Sequence, residues 1–105
     1  MDEEVPEIDI AEFATRREQG VKVLDVRELD EWHEARIPGV IHIPLTDLME
    51  RVSEVPTGEP LLVVCAVGGR SGNACTYLRG LGIEATNVDG GTKGWIAAGF
   101  DVERS

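Results

Sequence analysis

The sequence is short of positive charge, of cysteine and of long apolar runs, and each shortage closes off a class of function. Ten lysine and arginine side chains stand against twenty aspartates and glutamates, a formal net charge of -10. So few cations could release few phosphate counterions, which argues against nucleic acid as a partner. The same imbalance disfavours docking on anionic membranes. No apolar run approaches the roughly 20 residues that a membrane-spanning helix needs. The opening Met1-Asp2-Glu3-Glu4 is acidic, so no secretory leader with a basic start and an apolar body is expected. Two cysteines cannot build the disulfide framework of a small secreted scaffold, which makes a cytoplasmic, reducing compartment the expectation. Repeats, low-complexity tracts and linkers are also missing, and 105 residues suit a single domain, with its core over about 8–102. Only residues 1–7 and 103–105 read as frayed.

What is present is an alternation of apolar runs and helix-like stretches. Asp9 followed by Glu12 fits a capping box, so a helix is predicted over 10–19, stopped by Gly20. Residues 21–26 read as a strand with Asp25 and Arg27 at its end. A helical turn follows over 29–34, then the turn Ile37-Pro38-Gly39 and a short strand over 40–43 closed by Pro44. Helical spacing returns over 45–52 through Leu45, Leu48, Met49 and Val52. The run Leu61-Leu62-Val63-Val64-Cys65 has no polar alternation, as expected of a central parallel strand covered on both faces. A helix through Ala74, Cys75, Leu78 and Leu81, a strand over 83–88 and a last helix around 95–98 complete the series. The pattern predicts an α/β fold, a mainly parallel sheet with helices on both faces.

Chemistry is expected where the central strand ends. Cys65 closes that strand, and Ala66-Val67-Gly68-Gly69-Arg70-Ser71 leads directly into a helix. Ligands of open α/β sheets bind beyond the carboxyl ends of strands, against helix amino termini. Gly68 and Gly69 permit the positive φ angles with which such a loop curls its N–H groups inward into an anion-binding nest. Those amides, the helix start and Arg70 all favour thiolate over thiol at Cys65. The guanidinium of Arg70 is expected to fold back towards the anion. Cys75, sharing an apolar helix face with Leu78, reads as core. Trp32 and Trp95 read as packing residues, Asp25 and Arg27 as a structural ion pair at the pocket rim. His33 and His42 lack a metal-ligand spacing, so no metal site is expected.

Taken in order, Leu24-Asp25-Val26-Arg27-Glu28, Ile37-Pro38-Gly39-Val40-Ile41-His42-Ile43-Pro44, the Cys65 loop, and Asp89-Gly90-Gly91 with Gly94-Trp95 and Ala98-Gly99 resemble the rhodanese family of sulfurtransferases. The resemblance runs from Ile8 to about Val102. It implies a five-stranded parallel sheet flanked by helices on both faces, with catalytic Cys65 and a substrate loop of Ala66, Val67, Gly68, Gly69, Arg70 and Ser71. It also implies a ping-pong reaction without a cofactor. Sulfane sulfur passes from a small anionic donor such as thiosulfate, or from a protein persulfide, through a Cys65 persulfide to cyanide, a thiol or a protein acceptor. An alternative is a sulfur-carrying or regulatory module with little turnover. Phosphatases that share the fold, and related arsenate reductases, are disfavoured, because the resemblance would call for five residues between cysteine and arginine where this loop has four. The chain departs from many members in carrying Ala35-Arg36 before Ile-Pro-Gly, and Arg36 is either a surface change or a positive charge near the mouth. A monomer is expected.

Overall fold

A computed structural model of the protein describes residues 5–105. Five strands form one sheet: β1 (Glu7–Ile8), β2 (Lys22–Asp25), β3 (Ile41–His42), β4 (Leu61–Val64) and β5 (Ala85–Val88). Their order across the sheet is β1-β5-β4-β2-β3, and every pairing is parallel. Four helices accompany them: α1 (Ile10–Glu18), α2 (Leu29–Glu34), α3 (Gly69–Gly80) and α4 (Gly91–Ala97). Among the described residues no helix is long and apolar enough to cross a membrane.

The uninterrupted apolar run does become the middle strand, and its alternation builds both layers. Leu61 and Val63 pack with Ala74, Cys75 and Leu78 of α3, whereas Leu62 and Val64 pack with Phe13 of α1 and Trp95 of α4. All four β4 side chains are buried. Burying each contributes roughly 1.5–3 kcal/mol, so this strand anchors the sheet and fixes where its carboxyl end lies.

Several boundaries differ from expectation for local physical reasons. Glu7 is not frayed: with Ile8 it forms edge strand β1, paired to Asn87 and Val88 of β5. Two residues are too few to display an alternating pattern. Residues 1–4 lie outside the described part of the chain. Residues 103–105 are likewise tied down, because Arg36 and Glu103 exchange two backbone hydrogen bonds at 2.8 Å. Arg36 also lies over the Trp32 ring, 4.0 Å from its centroid, and donates to Ser105 Oγ, so it clamps the carboxyl-terminal residues. The stretch 45–52 forms two short 3-10 turns, Leu45–Asp47 and Val52–Glu54, in place of one helix. Leu48 is buried as its spacing predicts, but the Leu45 amide is tied to the Val26 carbonyl. At α1, Asp9 Oδ1 accepts from the Glu12 amide at 2.9 Å, while the Glu12 carboxylate turns to Arg16 instead of closing the box.

Asp25 and Arg27 form a buried ion pair at the end of β2, 2.8 Å apart. The guanidinium also donates to the carbonyls of Glu31 and Ala35, so one buried cation sets both the strand end and α2. Removing one partner strands a buried charge, at a cost of about 3–5 kcal/mol. Asp25→Ala should lower unfolding stability by that amount in urea titrations, and a loss under about 1 kcal/mol would contradict the role given to the pair.

Candidate active site

Cys65 follows β4 directly and is 1% exposed. Beyond it the chain turns through Ala66 and Val67 to Gly68, whose φ of +123° is open to glycine. That geometry directs the Gly68 amide at Cys65 Sγ, 3.1 Å away. Gly69 does not take a positive φ as expected; it is the first residue of α3. Ser71, buried in the first turn of α3, places its Oγ 3.3 Å from Sγ.

The inward amides have an outward counterpart. Carbonyls of Cys65, Ala66 and Val67 accept from the amides of Thr92 (2.8 Å), Lys93 (3.0 Å) and Gly90 (3.1 Å). The first turn of α4, with otherwise unpaired N–H groups, thus holds the loop from behind. Gly91 permits the approach: at φ +57°, a Cβ there would lie 2.4 Å from the Cys65 carbonyl oxygen. This explains why α4 starts at Gly91, ahead of the expected 95–98. Its glycine-rich first turn has no apolar periodicity to reveal it.

Burial pushes the Cys65 thiol up, but the Ser71 hydroxyl and the amides of Ser71, Gly68 and Val67 outweigh it, so Cys65 lies below the ordinary thiol value. Cys75, in the same core cluster, is instead pushed up by burial to about 12. Its expected place in the core is observed.

Arg70 departs from expectation. Its two terminal nitrogens grip both carboxylate oxygens of Glu31 at 2.7 and 2.8 Å, and do not fold into the loop. Glu31 also accepts from the Glu28 amide, capping α2. Its hydrogen bonds to Arg70 hold its carboxyl at about 2, against the opposing effect of burial. Arg70 is raised chiefly by Glu31, and the Cys65 thiolate adds an attraction. The arginine therefore supplies charge near the sulfur while its hydrogen-bonding fork faces α2.

Sequence reasoning missed Glu31, Asn87 and Glu7. Asn87 is 2% exposed in β5; its Oδ1 accepts from Ser71 Oγ at 2.5 Å, and its Nδ2 donates to Glu7 and to the Gly68 carbonyl. A buried amide in a strand just before Gly90-Gly91 was the available signal. His42 Nε2 donates to the Arg27 carbonyl, and the His42 ring stacks on Trp32. Trp95 packs between Phe13 and Phe100. A groove of about 570 Å³ lined by residues including Arg17, Val21, Lys22 and Pro56 lies at the amino end of β2, away from Cys65.

Two outcomes follow from this geometry. Alkylation of Cys65 should show a midpoint below the free-thiol value of about 8.5, and Cys75 should stay unmodified across neutral pH; equal reactivity would contradict the assignment. Because Cys75 is held neutral in the fold, stability should fall as pH rises above about 8.5 and the unfolded thiol ionises. Cys75→Ala should remove that alkaline loss.

A family model described as the Rhodanese-like domain matches residues 9–98. The chain is 33% identical over 94 residues to YrkF of Bacillus subtilis, covering 87% of this chain and 51% of that protein, so it spans about half of YrkF. It is 34% identical over 82 residues to the thiosulfate sulfurtransferase GlpE of Pseudomonas savastanoi, covering 77% of each. The crystal structure of a rhodanese-related protein from Thermoplasma volcanium superposes with a TM-score of 0.87 at 32% identity, covering 95% of this chain and 99% of that one. With the family model spanning most of its residues and a shared parallel sheet beneath them, the chain belongs to the rhodanese-like sulfurtransferase family.

Proposed function

We propose that the protein moves sulfane sulfur through a persulfide on Cys65, in two half-reactions and without a cofactor. The observation that carries this reading is the buried Cys65 sulfur with the Gly68 amide at 3.1 Å and the Ser71 hydroxyl at 3.3 Å. Such a setting favours a thiolate. In the first half-reaction the thiolate attacks the outer sulfur of the donor. A new S–S bond forms at Sγ, the donor's own S–S bond breaks, and the leaving group (sulfite from thiosulfate, a thiolate from a persulfide) departs with the electron pair. In the second, cyanide, a thiol or a protein thiolate attacks the outer sulfur, and Cys65 leaves as thiolate. The outer sulfur carries the negative charge between the two steps, surrounded by Ala66, Val67, Gly68, Gly69, Arg70 and Ser71.

A second reading, a sulfur-carrier module with slow thiosulfate turnover, draws support from the Arg70–Glu31 pair. Thiosulfate is a dianion, and the fork that would clasp its oxygens is taken at 2.7 and 2.8 Å by Glu31. Val67, 56% exposed at the loop, offers an apolar contact better suited to a thiol or protein partner. YrkF, whose name describes a sulfur carrier protein, is consistent with this reading.

The test is steady-state turnover with thiosulfate and cyanide, set beside single-turnover transfer from cysteine persulfide. Cys65→Ser should abolish both reactions; activity surviving in that variant would overturn the proposal. Freeing the arginine by Glu31→Gln should raise kcat/KM for thiosulfate by about tenfold, the order expected of one charge-assisted hydrogen bond. Transfer from cysteine persulfide should change less than twofold. A Glu31→Gln protein no better with thiosulfate would mean that the pair does not restrain the donor.

A further inference from the structure

The mechanism above uses the Ser71 hydroxyl but leaves open what governs it. Ser71 Oγ has one hydrogen and two acceptors in reach, Asn87 Oδ1 at 2.5 Å and Cys65 Sγ at 3.3 Å. It cannot serve both. The choice is made by the orientation of the Asn87 amide, and that orientation is doubly fixed. Asn87 Nδ2 donates to Glu7 Oε2 at 2.9 Å and to the Gly68 carbonyl at 3.0 Å. Turning the amide over would set its oxygen against a carboxylate and a carbonyl, neither of which can donate. The carbonyl of Asn87 therefore faces Ser71.

We propose that Asn87 and Glu7 are positioning residues that decide where the Ser71 hydrogen points, and so restrain the acidity of Cys65. While Cys65 is a thiol, every group is paired: S–H donates to Ser71 Oγ, and Ser71 donates to Asn87. When the thiol proton leaves to solvent, the hydroxyl turns to the sulfur, and Asn87 Oδ1 is left facing an oxygen lone pair. Asn87 is 2% exposed, so water cannot readily replace the lost donor. The thiolate gains the Ser71 hydrogen bond at the expense of the Asn87 one. In the persulfide the charge has moved to the outer sulfur, Sγ is neutral, and Ser71 returns to Asn87. The chain of contacts thus has two arrangements, one for each half of the cycle. A restrained acidity also has a chemical use, because the intrinsic nucleophilicity of a thiolate falls with its pKa.

Other charged or titratable groups lie around Cys65. Arg70 and neutral Cys75 approach from α3, with Glu31 and Glu28 beyond Arg70. From β2 comes the mutually neutralised Asp25–Arg27 pair, and from β1 comes Glu7 itself. Removing Glu7 changes both a charge and the amide anchor, so the test must separate the two.

The experiment is the pH dependence of iodoacetamide alkylation at Cys65 in the full chain, resolved by peptide mass. It compares Asn87→Val and Glu7→Ala, each with and without Ser71→Ala. Asn87→Val should lower the midpoint and raise the rate below it about threefold to tenfold, the worth of one competing hydrogen bond. Glu7→Ala should move it the same way by less. In the Ser71→Ala background the Asn87→Val shift should vanish and the Glu7→Ala shift should shrink to its charge effect. An unchanged or raised midpoint in folded Asn87→Val, or an equal shift without Ser71, would overturn the proposal. Should Asn87→Val not fold, the exposed Glu7 carries the test: a Glu7→Ala shift that persists in full without Ser71 overturns it equally. The proposal rests on Cys65 as the sulfur-carrying thiol for its purpose. Alkylation reads thiol acidity whether or not sulfur is carried, so the two readings can fail separately.

Discussion

Everything at the candidate site depends on the loop after β4 presenting its N–H groups to one side and its carbonyls to the other. A peptide chain left to itself has no reason to sort them so. Here the first turn of α4 takes the carbonyls of Cys65, Ala66 and Val67, which leaves the opposite face of the loop to the sulfur. Gly91 is the contact point, since a Cβ would fall within 2.6 Å of three atoms of the loop backbone. The cup around Cys65 is therefore a property of two strand-to-helix turns packed back to back, with β4 and β5 as adjacent strands setting their spacing. Anion stabilisation by preorganised backbone dipoles needs no side-chain cation, and it persists in a protein of strongly negative net charge.

A second layer of charge joins α2 to this cup. Arg27 is neutralised by Asp25 and reaches the carbonyls of Glu31 and Ala35; Glu31 in turn holds Arg70 at the start of α3. The inner pair is buried and its loss is costly, while the outer pair is partly exposed and contributes modestly to stability. Its importance lies in orientation. The same guanidinium that a sequence motif presents as an anion clasp is turned to a neighbouring carboxylate, and the electrostatic character of the mouth changes accordingly.

Much of the architecture was legible because it rests on burial. The apolar run Leu61-Leu62-Val63-Val64 reads as a doubly covered strand and is one, and Leu78 and Cys75 lie on the buried helix face assigned to them. Cys65 and Ser71 stand together as the loop motif implies. What escaped is what depends on long-range hydrogen bonding. Strand β1 is too short to carry a pattern, and α4 begins with glycines selected by the loop they touch. Asn87 and Glu7 meet across 80 positions of sequence, and Arg70 and Glu31 across 39. No local periodicity encodes the direction in which a guanidinium points.

The sulfur-carrying role proposed for Cys65 is the premise on which the chemistry of the loop rests. It is tested most directly by intact mass followed by peptide mapping after incubation with a sulfane donor and removal of excess. A gain of one sulfur atom is expected on the peptide containing Cys65, reversed by cyanide or a thiol and retained in Cys75→Ser. No added sulfur from either thiosulfate or cysteine persulfide, or an adduct on Cys75, would contradict it.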